Sequence, residues 1–151
     1  MEGITIPKVN IDPRNIDMCF ACGKNNPIGL KLKLRQEGNK VLADFTPTEH
    51  HQGWAGMVHG AIILTLLDEA MSWAAIYQGL VTITAKMESR WRRPAKVGEP
   101  LVVSASIIRN TRRLVEAEGV VSLKDGTIVA EGTSVMWVVD RKAEVKSEKN
   151  A

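Results

Sequence analysis

The stretch from Ala61 to Tyr77 constrains this chain most, because it is apolar on nearly every side of a helical wheel and yet carries Asp68 at its centre. A helix of that kind is ordinarily buried, and an aspartate is rarely taken inside unless it is paired or used. Thr65, Asp68, Glu69 and Ser72 fall at i, i+3, i+4 and i+7, which draws one narrow polar stripe along the helix. The stripe is either the helix's wet face, with Asp68 an ordinary surface acid, or the place where a working carboxylate is held. A Gly-rich loop, Gly53-Trp-Ala-Gly56-Met-Val-His59-Gly60, runs directly into the helix. Backbone N–H groups at a helix N-terminus, aided by the helix dipole, favour negative charge. His59 and Asp68 are nine residues apart, roughly 13 Å along the axis and on opposite faces. They cannot meet on one helix. If both serve one site, a second copy of the chain must supply the other half, so the working reading predicts a homo-oligomer.

A helix buried all round needs a sheet to cover it, and the rest of the chain supplies strand patterns. Leu30 to Arg35 alternates apolar and polar, Gly38-Asn39 is a turn signal, and Val41 to Phe45 reads as the returning strand of a hairpin. Pro47 to Met57 reads as loop, and the buried helix as Val58 to Tyr77. Past Gly79 the period becomes two: Val81, Ile83, Ala85, Met87 and Trp91 alternate with Thr82, Thr84, Lys86, Glu88 and Arg90, a long strand with one polar face. Leu101–Ile108, Leu114–Leu123 and Ile128–Val139 follow as strands, with turns at Asn110 and Asp125-Gly126. The expected order is β-β-α-β-β-β-β, an α+β domain with a six-stranded antiparallel sheet curled round one long helix. An irregular lead-in over 1–18, a domain over 19–140 and a polar tail over 141–151 complete the expected organisation.

Composition narrows the function classes. A length of 151 residues fits one domain, and 44% hydrophobic with 25% charged residues is ordinary for a globular protein. The longest apolar run, Ala61 to Leu67, stops at Asp68, too short to span a bilayer. The N-terminal residues lack the basic and apolar regions of a secretory signal, and two cysteines make no disulfide framework, so a cytoplasmic location is expected. A net charge of +3 is no nucleic-acid signature.

The residues His51-Gln52-Gly53-x-x-Gly56-x-x-His59-Gly60-Ala61, with Asp68 nine positions past His59, resemble the hotdog-fold acyl-CoA thioesterases of the phenylacetyl-CoA and 4-hydroxybenzoyl-CoA type. Cys19-Phe-Ala-Cys22-Gly23 through Pro27-x-Gly29-Leu30 is similar to the lead-in of one branch, and Arg92-Arg93-Pro94-Ala95 with Gly98 to its strand-end pattern. The resemblance covers roughly 19 to 139. It implies a hotdog fold and hydrolysis of an acyl-CoA thioester by a dimer or dimer of dimers. It also implies that the Gly60 N–H polarises the carbonyl, and that Asp68 of the facing protomer is nucleophile or general base. A further strand hydroxyl that holds substrate or water falls to Thr84, with Thr82 next. The family's His-Gly-Gly reads His59-Gly60-Ala61 here, and since the donated group is backbone the chemistry survives the change. Its Asn six residues before the His is Gly53, leaving Gln52 as the neighbouring side chain for the second carbonyl contact. His59 belongs to this catalytic motif by sequence, though a junction position favours holding the loop by hydrogen bonds.

Other features carry two readings each. Arg92, Arg93, Arg112 and Arg113 are either solvated strand ends or grips for the CoA phosphates, a task that suits the guanidinium fork. Trp54, Trp73 and Trp91 belong to an acyl pocket or to the core. Cys19-x-x-Cys22 has redox or zinc spacing, but it precedes a strand, and zinc needs two more ligands, from His50 and His51 or a second subunit. Neither metal nor cofactor is therefore expected. The alternative to a thioesterase is a non-catalytic acyl-CoA-binding module, which would not require Asp68; a hydratase or dehydratase would bring motifs that are not seen.

Overall fold

The structure is a computed structural model and describes residues 8–141; residues 1–7 of the expected lead-in and 142–151 of the expected tail lie outside it. The strands are β1 (Arg35–Glu37), β2 (Lys40–Phe45), β3 (Val81–Trp91), β4 (Leu101–Asn110), β5 (Leu114–Leu123) and β6 (Ile128–Asp140), and the helix α1 (Gly60–Ile76) lies between β2 and β3. They form one sheet in the order β1-β2-β4-β5-β6-β3 with every pairing antiparallel. The α+β expectation and the element order hold. None of the helices is long and apolar enough to cross a membrane among the described residues.

The sheet closes round α1 because its strands alternate. Val41, Ala43 and Phe45 of β2, Leu101, Val103 and Ala105 of β4, and Val115, Ala117 and Val121 of β5 are buried and turn to one face. The helix answers with Ile63, Leu66, Leu67, Ala70, Met71, Ala74 and Ala75. Close approach is allowed at mid-sheet by two glycines in register, Gly119 of β5 and Gly132 of β6. A Cβ on Gly119 would lie 3.3 Å from Leu67 Cδ2 and 3.4 Å from Met71 Cγ. One on Gly132 would lie 2.9 Å from the Glu88 carbonyl oxygen and 2.9 Å from Ser89 Oγ.

Two expectations need correction. The alternation from Leu30 is present, with Leu30, Leu32 and Leu34 buried, but strand pairing begins only at Arg35. Leu30 and Leu32 instead donate their N–H groups to the Phe20 and Ala21 carbonyls, and Lys31 has φ of 52°, which breaks the extended run. The segment thus pairs with the Cys19–Cys22 loop, which periodicity could not reveal. The single polar face foreseen for β3 is also absent. A bulge between Thr84 and Lys86 shifts the register against β6 and inverts which side chains point inward. Before it, Thr82 and Thr84 face inward, Thr82 Oγ1 lying 3.5 Å from Met136 Sδ. After it, Met87 packs against the core and the Ser89 hydroxyl is buried.

Gly132→Ala is expected to cost about 1–3 kcal/mol through overpacking against backbone. At roughly 2–4 °C per kcal/mol for a domain of this size, a fall in the thermal midpoint is the readout. An unchanged midpoint would mean that the sheet does not need this close approach.

Candidate active site

The loop ahead of α1 is fastened from both sides. Gly53 N–H donates to the Met57 carbonyl (2.9 Å), Val58 N–H to Ala95 (2.9 Å) and His59 N–H to His51 (2.9 Å). Gln52 Oε1 accepts from Gly56 N–H at 3.0 Å, so the side chain foreseen as a second carbonyl contact is engaged in shaping this loop. His59 is the N-cap of α1, its Nδ1 accepting from Ala61 N–H at 2.9 Å. That bond leaves Nδ1 without a proton, so the neutral ring carries its hydrogen on Nε2. It also occupies the Ala61 N–H, while no hydrogen bond among the described residues uses the Gly60 N–H. His59, Gly60 and Ala61 are exposed. Gly60 thus presents a donor at the positive end of a 17-residue helix dipole.

Asp68 is half-buried, and its Oδ1 accepts from Thr84 Oγ1 at 2.7 Å. The inward turn of Thr84 just before the β3 bulge makes this contact possible. Leu64, Thr65, Asp68, Thr84, Ala85, Lys86 and Met87 line a cleft of about 270 Å³ here. It opens at the bulge, on a strand that ends the sheet and has no neighbour on its outer side among the described residues. Thr65 Oγ1 donates to the Ala61 carbonyl at 2.9 Å. Thr82, the second choice, points to Met136 instead. Gly60 and Asp68 stand eight residues apart in α1, about 12 Å along the axis, so one chain does not bring donor and carboxylate together.

The expected polar stripe divides. Glu69, one position on and 100° round the helix, turns to the N-terminal loop: Oε1 accepts from Trp73 Nε1 at 3.0 Å and lies 3.8 Å from Cys19 Sγ. Burial pushes its carboxyl up to about 7. Donor atoms of Cys19, Cys22 and Glu69 all lie within 4.8 Å of one another. The sequence reading looked to the histidines and missed this third group. The available signal was the angular offset between Asp68 and Glu69. His51 is engaged elsewhere, its Nδ1 accepting from Thr48 N–H at 2.9 Å, and His50 lies exposed beside Glu49.

The basic clusters lie at opposite ends of the sheet. Arg92 and Arg93 follow the end of β3, where Arg92 pairs with Glu131 and Arg93 with Glu99 at 3.3 Å. Arg112 and Arg113 are exposed in the β4–β5 turn, beside the residues that pair with the start of β3. The tryptophans also part company. Trp73 is core at 6% exposure, Trp54 is 83% exposed, and Trp91 is 47% exposed, with Nε1 3.6 Å from where a Gly60 Cβ would stand.

A family model described as the thioesterase superfamily matches residues 55–130, half of the chain, and takes in the donor loop, α1 and β3. The chain belongs to the thioesterase superfamily. Mouse acyl-coenzyme A thioesterase 13 is 27% identical over 96 residues, spanning 62% of this chain and 69% of the relative. Among solved structures, zebrafish thioesterase superfamily member 2 aligns with a TM-score of 0.70 at 21% identity, covering 83% of this chain and 94% of that one. A Streptococcus pneumoniae thioesterase solved with coenzyme A gives 0.70 at 17% identity, covering 74% and 91%. The six-stranded sheet round one helix in this thioesterase-superfamily member is the hotdog arrangement.

His59→Ala should lower stability by about 1 kcal/mol, the usual loss for an N-cap, whereas His59→Asn should retain most of it. Urea unfolding of the two variants checks this; equal loss in both would mean that the ring does more than cap the helix.

Proposed function

We propose that this chain is an acyl-CoA thioesterase whose site is completed between two copies. The single observation that carries this reading is the division of labour along α1. Among the described residues, the Gly60 N–H is free at one end, and Asp68, held by Thr84, lies in a cleft that opens on the unpaired edge of β3. Antiparallel pairing of two such edges sets the start of one β3 beside the end of the other, which moves Asp68 of the facing protomer toward the Gly60 loop. It also covers a long exposed edge, which proteins otherwise have to protect. The name of the mouse relative and the coenzyme A in the pneumococcal structure support acyl-CoA as the substrate class. The domain is taken as residues 19–140.

In this reading the thioester carbonyl accepts a hydrogen bond from Gly60 N–H, and the developing oxyanion is stabilised by about 3 kcal/mol per such donor. Asp68 either attacks the carbonyl carbon or removes a proton from water as it attacks. In the general-base form, hydroxide adds to carbon, the C–S bond breaks as the tetrahedral intermediate collapses, and the CoA thiolate takes the proton from Asp68. Thr84 Oγ1–H fixes the carboxylate's orientation. Gln52, Gly53 and Ala61 serve substrate binding indirectly, by shaping the loop that presents Gly60. Arg112 and Arg113, which form no ion pair among the described residues, are the better phosphate grips. Arg92 and Arg93 would first have to leave Glu131 and Glu99.

Thiol release from short, long and aromatic acyl-CoAs is the direct assay, and a folded protein that binds them all and releases none would point to a binding module. Asp68→Asn should lower turnover of a good substrate about 10²-fold or more with binding nearly intact. A folded Asp68→Asn protein working at the parent rate would sink the assignment. Light scattering at assay concentration should give a dimer or larger species; an active monomer would rule out the shared site.

A further inference from the structure

We infer that Cys19, Cys22 and Glu69 form a binding site for a thiophilic divalent cation, zinc by its chemistry, which ties the N-terminal loop to the middle of α1. The three donors come from two segments fifty residues apart and converge to within 4.8 Å of one another. A tetrahedral zinc with Zn–S about 2.3 Å and Zn–O about 2.1 Å holds its donors roughly 3.5 Å apart, so a small contraction of the loop closes the set. Two sulfurs and one oxygen leave the fourth position to solvent. Thiolate ligands select zinc and other soft ions over magnesium or calcium.

The loop is built to present sulfur. Cys22 N–H points to Cys19 Sγ at 3.5 Å, and Gly23 N–H donates to the Cys19 carbonyl at 2.8 Å. Position 23 admits no side chain: a Cβ there would lie 2.5 Å from the Cys19 nitrogen and 2.5 Å from the Asp17 carbonyl oxygen. Glu69 is oriented by Trp73 Nε1–H, the kind of outer partner that fixes a metal-binding carboxylate. A cation would turn a costly gathering of two thiols and a buried carboxylate into a compensated one. Binding releases the thiol protons to solvent and involves no oxidation.

The test uses the full chain, stripped with a chelator under a thiol-free reductant, then supplied with zinc or cobalt alone. One ion per chain is expected, with thiolate-to-cobalt charge-transfer absorption, a raised thermal midpoint and both thiols shielded from alkylation by zinc. Glu69→Gln should weaken binding at least about tenfold, and Cys19→Ser with Cys22→Ser should abolish it. The alkylation arm needs no variant, so it stands even if the double substitution fails to fold. Thiols alkylated equally fast with and without zinc, or as much zinc on a folded double variant as on the parent, would overturn the proposal. So would a Cys19–Cys22 disulfide that peroxide forms as readily in zinc as without it, which would mark a redox pair. No readout depends on thioester hydrolysis, so failure here is separate from failure of the proposed activity.

Discussion

Everything in this fold follows from letting one apolar helix lie close against the middle of a sheet. The contact that permits it is Leu67 over the paired glycines Gly119 and Gly132. A side chain at 119 would press on Leu67 and Met71 of α1, and one at 132 would press on Glu88 and Ser89 of β3. The inward hydroxyl of Thr84 meets Asp68 only because α1 sits that low. Packing at mid-sheet therefore sets hydrogen-bond geometry at the edge.

Burial also explains how two adjacent acids take different roles. Asp68 and Glu69 differ by 100° of helix rotation, enough to send one to the β3 edge and the other beneath the N-terminal loop. Asp68 meets a hydroxyl and an open cleft. Glu69 meets an indole N–H and two thiols in a largely buried pocket, and its carboxyl is correspondingly harder to ionise. A single helix thereby serves two unrelated polar clusters while its remaining faces stay in the core.

Much of this was legible in the sequence, for reasons that can be named. The helix announced itself by an apolar run with a carboxylate inside it, and β4, β5 and β6 by runs rich in valine and isoleucine bounded by turn residues. What escaped was the product of long-range pairing. Leu30 to Leu34 alternates like a strand, yet its amides are claimed by Phe20 and Ala21. Gln52 reads as a free polar side chain until Gly56 N–H is seen on it. Glu69 reads as part of the Asp68 stripe until the Cys19–Cys22 loop folds over it. Local periodicity records which residues prefer burial, and it is silent about which partner buries them.

The bulge between Thr84 and Lys86 makes β3 two strands in one. From Thr82 to the bulge, even-numbered positions face inward; beyond it, Met87 and Ser89 do. Variation along this strand should accordingly obey opposite parities on either side of Ala85. Were Ala85 kept and the strand run straight, one half would turn over, sending Met87 and Ser89 outward in favour of Glu88 and Arg90, or else turning Thr84 away from Asp68. The extra residue thus acts as a reading-frame shift in three dimensions, letting one edge strand line a polar cleft with one half and close a core with the other.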